Sequence, residues 1–337
     1  FVAAIRGACA SGAITVRNVS ATVTSLTSNV RLATLPPSTG RIAIDAAGLT
    51  ARVAAGLVAQ VFLVNDATAV DIRVSGSDLS VSALNLVELI YSPSAATSVQ
   101  LAVTDTAVSA TSGVTVHCAE FAATPDVRHP LAASVNYTFD GLHANLTATA
   151  GYVRMASVPP SERATVALSR SRVEVRSAKH GAGLLRVYSS HQRVVAKTVS
   201  VTLDDSWVAV AAHVSAKLLY SNWDITQGFA VRFQNVTARV SSATHNVSVI
   251  RLGDKLTVNG AAQGQPSVVE VVDSTIRLES LAHMSGFTEI FRLGESKGAM
   301  VSVLGSDISL FSKSFRCVFL ALTMRTEDVN VVVHRSN

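Results

Sequence analysis

"AVRFQNVTARV", residues 230–240, nearly copies "AITVRNVSATV", residues 13–23. In each phrase apolar and polar residues alternate up to an Asn, an Asn-Val-Ser/Thr triplet follows, and the alternation resumes. Period-two alternation marks a half-buried strand, and Asn tolerates the left-handed backbone of a tight turn. Both phrases therefore read as strand, corner, strand. Self-similarity decides a fold where it exists, so the same template, φxφxxxxφxφ with φ apolar or small, was extended along the chain. It fits ten times, with its first φ at Ile14, Ile42, Ile72, Leu101, Tyr137, Val166, Val201, Val231, Val269 and Val301, and a partial copy begins near Val329 or Val331. The intervals run from 28 to 38 residues, with a mean near 32.

Two features not used to place the template support it. Four residues after each anchor stand Asn18, Ala46, Gly76, Asp105, Gly141, Arg170, Asp205, Asn235, Asp273 and Gly305. Nearly all are of the types that accept a left-handed corner. Pro36, Pro93, Pro125 and Pro159 all fall 21 to 24 residues after their anchors, and Pro36-Pro37 and Pro159-Pro160 share the same two offsets. A second apolar segment recurs about 16 to 18 residues into each copy, as at Val30/Leu32, Leu89/Ile90, Val153/Met155, Val247/Val249 and Cys317/Phe319.

No unit has room for a helix of 10–12 residues, which argues against βαβ and leucine-rich repeats. Propeller blades need about 40 residues or more. The repeat predicts an all-β fold, a right-handed parallel β-helix (β-solenoid) of about ten to eleven coils of roughly 28–38 residues. Residues 1–337 read as a single domain without an internal boundary. The chain opens at Phe1, with neither Met nor a signal peptide, and no terminal stretch looks like a cap, so it reads as a segment of a longer solenoid.

Composition narrows the classes. Hydrophobic residues make up 48% and charged residues 15%, too aliphatic and too weakly charged for disorder. No run approaches the ~18 apolar residues of a membrane helix, and the most hydrophobic run, "AAGLVAQVFLVN" at 54–65, fits a buried strand. The net charge of +5 is spread without a Lys/Arg cluster along the sequence, so nucleic-acid binding is not expected.

Five Asn-x-Ser/Thr sequons occur, at Asn18, Asn136, Asn145, Asn235 and Asn246, among twelve Asn. Roughly two or three would arise by chance in so Ser/Thr-rich a chain. Asn18 and Asn235 occupy the corner slot, where a side chain can face outward, although turn geometry alone would also select Asn there. These are the N-glycosylation candidates, and they imply a secreted protein. Cys9, Cys118 and Cys317 form no CxxC. Cys118 and Cys317 lie six coils apart, about 29 Å, beyond the ~7 Å Cα separation a disulfide allows, and are expected as buried small hydrophobes.

No catalytic, metal or cofactor set emerges. The adjacent carboxylates Asp204-Asp205 fall in a corner and read as turn-forming and solvated. "KHGAG" at 179–183 is a faint echo of the Gly-His-Gly of galacturonases, His117 and the other histidines lack zinc spacing, and no Gly-x-Ser-x-Gly elbow is present. The most aromatic patch, "LLYSNWDITQGF" at 218–229, holds Tyr220 and Trp223, with Trp207 just before it; core packing is the simpler reading.

The phrases "TVRNVSATVTS" (15–25), "VRFQNVTARVSS" (231–242) and "VVEVVDSTIRLES" (268–280) together resemble the large repetitive surface glycoproteins of kinetoplastid protists, particularly the dispersed gene family of trypanosomes. The resemblance is one of texture and implies a β-helical ectodomain serving surface contact or adhesion. The expected function is a non-enzymatic, extracellular or cell-surface structural or adhesive glycoprotein, a stiff rod displaying loops and N-glycans. Expected partners are other surface or matrix proteins or glycans, or further copies in a filament or coat, with no nucleic acid, membrane span or cofactor. The alternative is a carbohydrate-active β-helix enzyme, which a cluster of acidic or basic side chains from adjacent coils on one face would favour.

Overall fold

The computed structural model describes residues 3–4, 10–65, 67–92, 97–121, 132–187, 195–252, 258–259, 267–281, 288–293, 296–313, 316–322, 326–327 and 329–336. These form a parallel β-solenoid with three sheets and no helix. The first face holds the strands before each corner, such as Gly12–Arg17, Arg41–Ala47 and Ala69–Ser75. The second holds those after it, such as Ser20–Ser25, Thr50–Ala55 and Asp78–Ala83. The third begins with Val30–Leu35, Val58–Val64 and Leu86–Ser92 after its first two-residue strand, Ala3–Ala4. Every pairing between strands is parallel and joins one coil to the next. The ladder makes about nine turns, slightly fewer than expected, since the ten strands of the second face enclose only nine steps.

The anchors stack as one column. Ile14 pairs with Ile44, Ile44 with Ile72, and the series continues through Leu101, Tyr137, Val166, Val201, Val231, Val269 and Val301 to Val331. The second anchor is thus Ile44, not Ile42. Both lie on one side of a strand, and apolar alternation cannot tell frames two residues apart. The true corner is Gly48, not Ala46. With that shift every corner residue has positive φ, from 44° at Asp105 to 65° at Gly141, including Arg170 and Arg335. Arg170 is an unusual occupant, and its guanidinium forms a two-pronged bond with Asp140 of the preceding coil.

Hydrogen bonds at the corner run both ways. The corner N–H donates to the following coil, as from Asn18 to Ala47 (2.9 Å), Gly76 to Thr104 (3.0 Å) and Asp205 to Gln234 (3.0 Å). Two residues later an N–H donates to the preceding coil, as from Thr50 to Val19 (2.8 Å) and Trp207 to Ser171 (2.8 Å). Just inside the corner runs a ladder of buried hydroxyls at Ser77, Ser171, Ser206, Ser274 and Ser306. Ser171 Oγ accepts the Leu142 N–H (3.0 Å) and donates to the Ser169 carbonyl (2.6 Å). Ser206, Ser274 and Ser306 repeat the motif. Polar groups buried in the corner are thereby satisfied.

Inward side chains form one continuous core from Ala21 to Val303. At about 1.5–3 kcal/mol per buried aliphatic side chain, stacking in this core is the main favourable term. End members are less covered: Ile14 is half-buried and Val331 is 44% exposed, whereas Ile72 is fully buried. Residues 54–65 behave as expected, since Val58–Val64 is buried along nearly its whole length. Pro36-Pro37 and Pro159-Pro160 follow the ends of third-face strands, while Pro93 and Pro125 lie outside the described residues.

Two glycines separate two kinds of constraint. Gly76 has φ +53° with open space around a would-be Cβ, whereas a Cβ at Gly113, between the second and third faces, would overlap the Leu84 carbonyl of the preceding coil. Gly76→Ala should cost about 1–2 kcal/mol from backbone conformation alone. Gly113→Ala should cost about 3 kcal/mol or more, because a backbone must move. Urea denaturation of both variants reads the difference; equal losses would refute the close approach at Gly113.

Candidate functional site

The third face carries the chemistry. Its strands share an apolar doublet flanked by outward positions, as in Glu88-Leu89-Ile90-Tyr91, His117-Cys118-Ala119-Glu120 and Lys217-Leu218-Leu219-Tyr220. Both doublet residues are buried in the core. The pairing ladder steps over the first of them: Glu88 pairs with His117 and Ile90 with Ala119, with Leu89 between left out. The strand bends there, so the residues on either side of the doublet point away from the core. Stacked coils turn these flanks into two columns. One runs Arg31, Gln60, Glu88, His117, Arg154, Gly183, Lys217, Ser248, Glu289, and the other includes Tyr91, Glu120, Ser157, Arg186, Tyr220, Arg251, Arg292.

The early coils are acidic. Arg31 Nε donates to Gln60 Oε1 (2.8 Å), and Gln60 Nε2 donates to Glu88 Oε2 (2.6 Å). Glu88 is only 5% exposed. Desolvation pushes its pKa up to about 7, with repulsion from Glu120 adding and the Gln60 bond and Arg31 opposing. Tyr91 is also raised, by desolvation and then by Glu88 and Glu120. Burial, with Arg154 and Arg186 adding and the attraction of Glu120 opposing, pushes His117 down to about 4. Its Nδ1 lies 3.6 Å from Glu120 Oε2, and neither ring nitrogen makes a hydrogen bond. His117 is thus an inward-lying histidine whose ring nitrogens are unsatisfied.

The middle coils are basic. Arg154, Gly183, Arg186, Lys217 and Tyr220 line a cavity of about 200 Å³ with Tyr152 at its rim. The Lys217 ammonium sits 4.4 Å from the centroid of the Tyr220 ring, and Arg154 Cζ 5.4 Å from that of Tyr152. Burial first, and then Arg251, Arg186 and Arg154, lower the Lys217 pKa to about 8. Two unit charges two coils apart, about 10 Å, repel by roughly 1.7 kcal/mol at an effective dielectric of 20. The basic residues that look scattered along the sequence are gathered in space by the repeat.

The sequence candidates fall elsewhere. Asn18, Asn136, Asn145 and Asn235 are exposed, and Asn246 is half-buried with its carbonyl bonded to the Ala216 N–H (3.1 Å). Asn145 borders a shallow depression on the second face with His143, Arg172 and Glu174. Asp205 is a corner residue, away from the residues lining the cationic cavity, and its Oδ1 accepts from Asn235 Nδ2 (2.6 Å). Trp223 is fully buried, whereas Trp207 lies on the second face under Arg172 (4.4 Å) and Tyr220 turns to the cavity. Cys118 is buried, with its thiol pushed up to about 12 by desolvation, but Cys317 is exposed, contrary to expectation; both are free. Cys9 lies outside the described residues. Among the described residues no His, Cys, Asp and Glu group could hold a metal ion, and no helix is long and apolar enough to cross a membrane. No protein-family model, curated protein or solved structure matches the chain.

Glu88 makes stability depend on pH. Its folded pKa of about 7 lies above the ordinary 4.5, so the folded chain keeps a proton that the unfolded chain has released, and stability falls as pH rises between those values. His117 acts in the other direction, costing stability as pH falls from 6.5 towards 4. Glu88→Gln imitates the protonated acid and can still accept from Gln60. Thermal melting should show the variant gaining on the wild type at pH 8 and matching it near pH 5. A gain that does not vary with pH would contradict the buried acid.

Proposed function

We propose that this chain is an extracellular structural or adhesive β-solenoid, a stiff non-enzymatic rod that displays loops and N-glycans to other surface or matrix proteins or glycans, or to further copies of itself in a filament or coat. The carrying observation is the exposure of Asn18, Asn136, Asn145 and Asn235, spread over two faces and the corner between them. Stacking with two-way hydrogen bonding at each corner supports stiffness, and each coil adds outward positions without altering the core. Asn18 and Asn235 sit exposed where the chain turns, and a glycan on Asn235 would share Nδ2 with its hydrogen bond to Asp205.

One observation favours the carbohydrate-active enzyme as a second reading: the third face brings Glu88, Glu120, Arg154, Arg186 and Lys217 together from five successive coils. Release of reducing ends from polygalacturonate would favour that reading over the first. Asp204 and Asp205 do not contribute to it.

Glycopeptide mass spectrometry of the protein from its native source tests the first reading. At least one of Asn18, Asn136, Asn145 and Asn235 is expected to carry a glycan, with Asn246 the least occupied. All five unmodified would refute a secreted glycoprotein.

A further inference from the structure

The middle of the third face has the makings of a ligand site that the rod reading does not require. Arg154, Arg186, Lys217 and Arg251 come from four successive coils, a span of about 14 Å at coil spacing. Among the described residues Lys217 has no carboxylate partner, and after burial itself Arg251, Arg186 and Arg154 all act on its ammonium in the same direction, lowering its pKa. Like charges gathered on one face oppose folding and favour any anion that enters.

The floor of the cavity is open because Gly183 stands between Arg154 and Lys217 in the column. A Cβ there would meet nothing closer than the Lys217 carbonyl at 3.5 Å, and no positive φ demands glycine. The gap is therefore space within the site, and a larger residue could fill it without straining the backbone. Two tyrosines border the same space, Tyr220 in the wall and Tyr152 at the rim, 49% exposed. Aromatic rings beside cationic groups suit a ligand that offers both a ring face and a negative charge.

We propose that this cavity binds an acidic oligosaccharide, with Arg154, Arg186 and Lys217 holding its carboxylate or sulfate group and Tyr152 and Tyr220 contacting the sugar ring. The volume of about 200 Å³ is below the ~300–1,000 Å³ of drug-sized ligand sites and suits one ring at a time. Along the axis the basic stretch meets Glu88 and Glu120 on one side; on the other, Glu289 closes the Lys217 column while Arg292 continues the Arg186 column. The two carboxylates at the first end disfavour a long polyanion such as a nucleic acid, whose backbone would run into them, and admit a short acidic segment.

The test uses the whole chain made without glycosylation, so its outcome does not depend on whether the asparagines carry glycans. Titration calorimetry with trigalacturonate and with a sulfated heparin disaccharide should show saturable binding of at least one, and which of them binds identifies the acid. Methyl-esterified trigalacturonate should bind roughly tenfold more weakly or not at all. Lys217→Gln should weaken binding by about tenfold, and Gly183→Ile, β-branched and suited to a strand, should abolish it, both with melting temperatures near the wild type. The assignment is overturned if neither acidic sugar binds at about 1 mM, if both variants bind as the wild type does, or if a hexathymidylate binds as tightly as the sugars.

Discussion

The structure depends on one corner repeated eleven times. A residue held at φ between 44° and 65° ends each first-face strand, and ten of the eleven turn the chain into a strand of the second face. At that point the backbone donates forward to the next coil and, two residues on, back to the previous one. Left-handed geometry costs an ordinary residue about 1–2 kcal/mol, so Gly, Asn and Asp dominate. Where Asn or Asp is followed one coil later by Gly, as at Asn18 over Gly48, Asp105 over Gly141 and Asp273 over Gly305, the side-chain oxygen occupies the space that a Cβ would need. The corner is thus specified pairwise between coils as well as residue by residue.

This constraint also decides where the repeat can vary. From the corner to the third-face doublet the spacing is nearly constant except from Asp273 to Ile290, because the second-face strand and the bend after it stack tightly, with Gly113 against the neighbouring backbone. Extra length falls after the third face instead. The long intervals between corners are Asp105 to Gly141, Arg170 to Asp205 and Asn235 to Asp273, and each takes up its additional residues beyond the doublets at Cys118, Leu184 and Val249. Loop-closure entropy grows slowly with length, so a solenoid tolerates such insertions at a position where stacking is not interrupted. Variable chain therefore emerges next to His117, Arg186 and Arg251, beside the most unusual side chains in the molecule.

The fold was legible because its signal is local and repeated: alternation on both sides of a corner residue. The slip at Ile42 shows the limit, since Ile42 and Ile44 satisfy the same alternation and only Gly48, two residues beyond Ala46, distinguishes the frames. Serine in the position after the corner was available in the sequence as well, at residues 77, 171, 206, 274, 306 and 336, but it becomes meaningful only once that position is known to be buried. The third-face site was hidden for a different reason. Its charged members on successive coils stand about 30 residues apart, so a short window along the chain contains only one coil's share, and Glu88, Arg154 and Lys217 look like ordinary charged residues. Aligning the chain on the doublets, rather than on the anchors, is what brings them into one column. The burial behind their shifted pKa values is a property of the packed face and has no sequence counterpart.

A solenoid backbone is nearly the same at every coil, so any direction along the rod must come from side chains. On the third face that direction is electrostatic. Glu88 and Glu120 lie on two coils, the cations follow on the next four, and His117, held neutral by burial, sits where the two blocks meet. Adjoining blocks of opposite sign partly offset one another's repulsion, and this makes a cationic stretch tolerable in the interior of the stack. Position matters too: in a structure stabilised by nearest-neighbour terms, a strained coil is best supported when stacked coils lie on both sides. Arg154 through Arg251 occupy such interior coils, far from the thinly covered ends of the anchor column at Ile14 and Val331. The charge order thereby gives the face a polarity that the repeated backbone lacks, and a ligand with one acidic end would be oriented by it along the axis.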